Sequence, residues 1–422
     1  MSPKIRLMIL AGTALATGVA SAQSLDQTRE YAAEVVADAQ QRTSLLDSAQ
    51  GSNAQFGLTS ADGSSTLNFS GWHQTRYAIT IRDDAGNAEE DDLETGFFTP
   101  DTRLIFDGSV VSPDTTYKIE LYFDSNGDVG LMDAFLNHDF GNGTAGRIGQ
   151  FTAPVTRESM VEDNQLQTIE RTPTDWVFSA GQVQGAAISF TDEANSYRVT
   201  GSLNDGARTG NSPYNAFTSP DTVPGDDGDI AITVRGDMAF EGTVDPYFAT
   251  TRLMPGGENA MILGGYIHFE QSPDVGDNGD TSLIAAGVDF LMDNGNGWNF
   301  FAAGHLQSVD SDAAGDDFLN LGLVLQGGYF VSENTEIFGS FDMVIPDDDL
   351  AADADPFNTL QVGVNHFPFQ GSQAVKLSAG VTIFIDAQTE TGGLVMPNSD
   401  AGLLADSEGG QVTALGQAQV SF

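Results

Sequence analysis

Thr413-Ala414-Leu415-Gly416-Gln417-Ala418-Gln419-Val420-Ser421-Phe422 is the stretch whose reading decides the fold. Side chains alternate across an extended chain, so Gly416, Ala418, Val420 and Phe422 share one face while Gln417, Gln419 and Ser421 share the other. The result is a strand with an apolar side ending in Phe and a small polar side. A closed barrel in a bilayer needs such a strand. Its last strand pairs with its first, lipid lies outside and water inside. The alternative is an edge strand of a soluble sandwich.

The start of the chain supports export. Lys4 and Arg6 precede an apolar run, Leu7 to Ala20, and Ala20-Ser21-Ala22 supplies small residues for cleavage before Gln23. Residues 1–22 read as a signal peptide. The 422 residues contain no cysteine, which removes disulfide and thiol chemistry. No apolar run is long enough to cross a bilayer as a helix. The chain carries 16 basic and 60 acidic residues, a formal net charge of −44. That charge repels nucleic acid, and no basic patch appears. Acid concentrates in Glu89 to Asp92, Asp226-Asp227 and Asp347 to Asp349, between alternating segments, where solvated loops tolerate it.

Residues 23–64 differ from the rest of the chain. No Gly or Pro interrupts Ser24 to Gln50, and Leu25, Ala32, Val35, Ala39 and Leu46 recur at three- and four-residue steps. This predicts a periplasmic helix over 24–50, either a coiled coil or a plain extension, followed by a linker over 51–64. From residue 65 to 422 the pattern is all strand. Alternating segments fall at 66–81, 102–110, 115–124, 129–139, 146–152, 182–190, 196–203, 229–240, 260–270, 281–291, 297–308, 317–330, 334–343, 357–366, 374–385 and 411–422. Short turns follow most even-numbered segments, and longer acidic connections follow most odd-numbered ones. The expectation is an all-β fold, a 16-stranded antiparallel transmembrane β-barrel with short periplasmic turns, long outer loops and both termini periplasmic. Residues 244–251 could form a further strand, which would break the alternation. They are therefore read as part of an irregular connection, 241–259.

Two blocks then resemble a known family. Gly146-Arg147-Ile148-Gly149-Gln150-Phe151-Thr152-Ala153-Pro154, followed by Glu170-Arg171 and Gln184-Gly185-Ala186-Ala187-Ile188, resembles the phosphate-selective porin O and P family. Gly363-Val364-Asn365-His366-Phe367-Pro368-Phe369 resembles a late strand and aromatic-proline turn of the same family. The resemblance implies an outer-membrane location, a sixteen-stranded and usually trimeric barrel, and a third loop folded into the pore. It implies passive passage of ions and small hydrophilic solutes, with membrane lipid as the surrounding partner and no cofactor. A structural or adhesive surface barrel is the competing class.

The third outer loop, about 153–181, is by position the constriction loop. Its charges are Arg157, Glu158, Glu162, Asp163, Glu170, Arg171 and Asp175. They read either as a mixed-charge eyelet that sets weak ion preference or as a solvated surface loop. Six basic residues fall on lumen faces: Arg76, Arg103, Lys118, Arg147, Arg198 and Arg235. They form either an anion-guiding wall or structural partners for Glu120, Asp124, Asp133 and Asp237. Where the family tends to carry Lys after Gly-Gln-Phe, this chain has Thr152. Beyond Lys4 its only lysines are Lys118 and Lys376. A lysine-rich phosphate site is therefore not expected. Asp124, Asn126 and Asp128 resemble the first half of a calcium loop, but Phe135 stands where the bidentate Glu would be, and the same residues suit a hairpin turn. His73, His138, His268, His305 and His366 are scattered, and no His-Glu-x-x-His, Gly-x-Ser-x-Gly or phosphate loop occurs, so no enzyme activity is expected.

Overall fold

The computed structural model describes residues 56–82, 93–125, 127–206, 230–244, 257, 259–272, 281–311, 316–348, 354–369, 371–405 and 409–422. All belong to one compact unit, Ser52–Phe422. The signal peptide, the 24–50 helix, the acidic runs 89–92 and 226–227, Asn126 and most of 244–251 lie outside the described residues.

The strands are β1 (Phe56–Thr59), β2 (Thr66–Ile81), β3 (Leu93–Phe98), β4 (Thr102–Val110), β5 (Ser112–Phe123) and β6 (Val129–Gly141). They continue with β7 (Thr144–Thr152), β8 (Gln182–Thr191), β9 (Tyr197–Asn204), β10 (Ile230–Glu241), β11 (Ala260–Ser272) and β12 (Thr281–Asp293). The last are β13 (Trp298–Ser311), β14 (Asp316–Ser332), β15 (Thr335–Ile345), β16 (Phe357–His366), β17 (Val375–Phe384) and β18 (Gln411–Ser421). Each of the sixteen expected segments is a strand, and each pairs antiparallel with its neighbours.

The ring closes where β18 meets β2, with Gly416 opposite Tyr77 and Val420 opposite His73. The backbone N–H and C=O of Phe422 both bond Gly71, and its ring packs 5.8 Å from Phe69. Closure leaves no open edge in lipid. The other edge of β2 pairs with β3 along its second half and β4 along its first. β3 and β4 are thus one stave interrupted at Thr99-Pro100-Asp101, and the barrel has sixteen staves. β3 escaped the sequence reading because Pro100, which cannot donate to a ladder, breaks the alternation after Phe98. β1 also departs from expectation. Residues 56–59 fall in the expected linker but pair with the start of β2, Phe56 opposite Phe69. The turn between them is held by Asp62, which accepts from Ser60 Oγ at 2.7 Å and Ser64 N at 3.1 Å. Four residues are too few to reveal a dyad repeat.

β10 pairs directly with β11, Gly236 opposite Gly265. The connection between them therefore joins adjacent staves, and the loop parity survives. Within it Val244 is buried and donates its N–H to Asn195 O at 2.8 Å.

The two faces are inverted relative to a soluble protein. In β10, Ile232 is 49% exposed and Arg235 only 1%, and the strand alternates in this sense from Ile230 to Met238. β18 does the same, with Val420 outside and Gln417 and Gln419 buried within. An apolar outer belt around a polar interior is the arrangement that lipid and water impose on a barrel.

Candidate functional site

Loop 153–181 leaves β7 and returns to β8 through a neck closed by Ala153 N to Gly181 O at 2.9 Å. Between these points it reaches staves around the ring. Arg157 bonds Asp237 on β10 at 2.7 Å and Asp289 on β12 at 2.6 Å. Gln167 donates to Asn299 on β13 at 3.0 Å and to Glu336 on β15 at 2.7 Å, and accepts from Gln326 on β14 at 3.0 Å. Lys376 on β17 donates to Leu166 O at 3.0 Å, and Arg76 on β2 to Ile169 O at 3.0 Å. A segment that touches so many staves of a closed ring crosses its lumen. Glycines on β14 make room for it. A Cβ on Gly322 would meet Phe178 at 2.5 Å, and one on Gly328 would collide with the Gln167 amide.

The loop ends in a short helix, α1 (Pro173–Phe178), whose N-cap Thr172 accepts from Asp175 N at 3.2 Å. Pro173 suits the first turn because its missing N–H would have no partner there. Thr174 anchors this helix to β15 through Asp342 at 3.1 Å.

A second loop, described over 385–405 and 409–410, also folds inward, and sequence reasoning missed it. Its Val395, Ala401 and Leu403 pack with Phe178 of α1 and with Val344, Phe357 and Phe384 of the wall. Gly402 O accepts from Gln411 at 2.5 Å and Thr413 at 3.0 Å, and Asp400 O accepts from Arg76. Leu394-Val395 and Leu403-Leu404, apolar residues inside a long connection, were the available signal.

Of the seven charges expected in the constriction loop, Asp175 is buried in α1, and the other six divide. Arg157 and Glu158 are buried and do not face open lumen. Arg157 joins Arg235, Asp237 and Asp289 in a buried set of two cations and two carboxylates. Glu158 accepts from Thr172 N at 2.8 Å and Thr172 Oγ1 at 2.9 Å. The other four lie along the inner wall. Glu162 meets Lys118 at 3.0 Å, Asp163 meets Arg103 at 2.7 Å and also Arg171, and Glu170 meets Arg76 at 3.0 Å. Burial pushes the Glu158 carboxyl up to about 8, with Asp175 adding repulsion against the Thr172 bonds. Burial likewise lifts Asp175 to about 6, opposed by Arg171. For Arg171 burial acts downward, but Asp163, Asp175, Glu170 and Glu158 outweigh it and hold the guanidinium charged.

Most of the six expected wall cations have acid partners. Arg103 bonds Asp101 at 2.5 Å and Glu120 at 3.1 Å, and Lys118 bonds Glu120 at 2.6 Å and Asp133 at 2.9 Å. Arg235 meets Asp237 at 2.8 Å and Asp289 at 2.7 Å. Arg147 lies over the Phe135 ring at 4.1 Å, a cation–π contact, in the field of Asp133, and Arg198 donates to Thr191 Oγ1 at 2.9 Å in the field of Asp237. The filling alternative thus describes the wall better than a free anion ladder. Asp101, Asp163, Glu170 and Asp289 are partners that strand-face reading did not supply. Between the two loops and the wall a chamber of about 340 Å³ remains, lined by Arg76, Arg103, Arg171, Asp163, Glu170 and Asp400 among others.

This is the fold of outer-membrane porins. The outer membrane channel DcaP of Acinetobacter baumannii is similar with a TM-score of 0.54 at 15% identity, over 87% of this chain and 99% of that one. An anion-selective porin from Comamonas acidovorans gives 0.54 at 14%, over 85% and 100%. OmpT of Vibrio cholerae in its trimer form gives 0.51 at 12%, over 85% and 100%. The sequence matches no protein-family model and no curated protein.

Of the calcium candidate Asp124, Asn126 and Asp128, Asn126 lies outside the described residues, and the other two bond each other. Asp124 Oδ1 accepts from Asp128 N at 2.8 Å, and Asp124 N donates to Asp128 O at 3.1 Å. Among the described residues no cluster of three His, Cys, Asp or Glu is placed to hold a metal ion.

Proposed function

We propose that the protein is an outer-membrane porin: a water-filled channel through which small hydrophilic solutes and ions diffuse passively, with weak ion selectivity and no chemical step. The observation that carries this is the inverted barrel, apolar outside and polar inside, with a charged loop folded across its lumen. Glu162, Asp163, Glu170 and Arg171 from that loop, with Arg76, Arg103 and Lys118 from the wall, are the narrow zone. Carboxylates and cations there are matched closely enough to cancel most of the field an ion would feel.

A strong phosphate preference is not part of the proposal. Lys118 is committed to Glu120, Asp133 and Glu162, and Lys376 to the Asn164 and Leu166 carbonyls. Residues 1–22 direct export, and three copies assemble in the membrane, as the trimer form of the Vibrio cholerae neighbour supports. Purified protein in liposomes should admit small neutral sugars, read as osmotic swelling, and exclude large oligosaccharides. Liposomes that fail to swell with folded protein inserted would refute the reading.

A further inference from the structure

The charges of the narrow zone fall into two tiers that are balanced by different means. The first tier lines the chamber between the two infolded loops, where Arg76, Arg103 and Arg171 stand among Asp101, Asp163 and Glu170. Arg76 meets Glu170 at 3.0 Å, and Arg103 meets Asp101 at 2.5 Å and Asp163 at 2.7 Å. Asp163 also meets Arg171. The cations are largely hidden behind their partners, since the Arg76 side chain is 1% exposed and that of Arg103 3%.

The second tier centres on Lys118. Arg103 stands opposite Tyr122 on β5, and Lys118 lies four residues earlier on the same face, towards the short turns. Its Nζ donates to Asp133 Oδ2 at 2.9 Å and to Glu162 Oε1 at 3.0 Å, and lies 2.6 Å from Glu120 Oε2. The three carboxylates depend on it unequally. Glu120 also has Arg103 at 3.1 Å, and Asp133 has the field of Arg147. Glu162 has Lys118 as its only ion-pair partner among the described residues. Asp107, opposite Lys118 in the β4–β5 ladder, accepts from Asn68 at 3.0 Å instead.

Glu162 is also the most open of the loop carboxylates in the narrow zone. Its side chain is 36% exposed, against 17% for Glu170 and 12% for Asp163. The Lys118 side chain beside it is 18% exposed. A charge that opens on the water path acts on a passing ion directly, and a cation held against it cancels that action. Without Lys118 the group left bare would be the one that ions meet first.

We propose that Lys118 is the specificity-determining residue of the channel: its ammonium cancels the Glu162 carboxylate, and this pair of wall and loop sets the ion preference. The inference rests on the porin reading and deepens it, because it assigns the weak preference to one pair rather than to the narrow zone as a whole. Arg76 and Arg103 then serve to hold the loop in place.

Reversal potentials of the full-length protein in planar bilayers test it, in KCl near 0.1 M, where the Debye length is about 10 Å. Lys118→Met should raise the cation-to-anion permeability ratio about fivefold, the scale set by one bared unit charge about 8 Å from the path, acting in opposite senses on cation and anion. Lys118→Arg keeps the charge and should leave the ratio near its native value. Adding Glu162→Gln to Lys118→Met should restore that value, because the pair again carries no net charge. Glu162→Gln alone, at an exposed loop position that disturbs no buried group, should lower the ratio and provides the test if Lys118→Met does not fold. An unmoved ratio in Lys118→Met or in Glu162→Gln would overturn the assignment. So would a shift in Lys118→Arg as large as that in Lys118→Met, since packing rather than charge would then be the cause. A silent native protein would sink the porin reading itself, whereas a conducting native channel with an unmoved Lys118→Met ratio would sink this assignment alone.

Discussion

The loop of residues 153–181 is pinned to the barrel wall by charge, whereas the loop of residues 385–410 is pinned mainly by apolar packing. The first places Arg157 between Asp237 and Asp289, and sets Asp163 and Glu162 against Arg103 and Lys118. The second inserts Val395 and Leu403 among Phe178, Phe357 and Phe384. A charged contact fixes position tightly but fails badly when one partner goes, because the other charge is left buried. An apolar contact fails by degrees, in proportion to the cavity made. The loop that carries the narrow zone uses the first kind of attachment.

The largest expected effect comes from breaking the charged attachment. Arg157→Leu removes one of the cations shared by two buried carboxylates, Asp237 and Asp289, and should cost about 3–5 kcal/mol. Denaturant unfolding in detergent, read by tryptophan fluorescence, checks this. A loss below about 1 kcal/mol would show that the set does not anchor the loop. Since Arg157 is buried, its removal is expected to act through loop position rather than as a lost eyelet charge.

Next comes the apolar attachment. Leu403→Ala should cost about 3 kcal/mol in the same assay and expose loop 385–410 to protease, while leaving loop 153–181 protected. Cleavage of both loops together would mean that the two attachments are not independent.

A smaller effect lies in pH. The Glu158 carboxyl is raised from 4.5 to about 8, so the native state holds a proton that the unfolded chain releases. The stability it contributes is full below about pH 4.5 and is lost as pH rises towards 8. Glu158→Gln should flatten the fall in unfolding midpoint between those limits. An unchanged slope would assign the pH dependence to other groups. The smallest effect is that of Asp348→Asn on ion preference. The side chain is exposed in an outer turn, so its field should register in 10 mM salt, where the Debye length is about 30 Å, and vanish in 1 M salt, where it is about 3 Å.

The same contrast explains what the sequence could reveal. A dyad repeat is local, so the sixteen staves and the polar and apolar faces could be read from residues such as Ile232 and Arg235 in isolation. Loop 153–181 was read as the constriction from its position and from the family resemblance. The burial of Arg157 and the place of Asp163 depend on partners more than 50 residues away, on β4, β10 and β12, which no spacing encodes, while Glu158 and Arg171 are held by partners inside the loop. Loop 385–410 was hidden because Val395 and Leu403 look like ordinary apolar residues until the ring closes around them. β1 and β3 were too short, or too close to a proline, for period two to show.

The central claim is that an open, weakly selective water path runs past the charged loop. Planar-bilayer recording across a KCl gradient tests it most directly. The account predicts stepwise conductance with a small reversal potential, since Glu162, Asp163 and Glu170 are each matched by Lys118, Arg103 or Arg76. A silent membrane with folded protein inserted, or a strong anion preference that low phosphate abolishes, would contradict it.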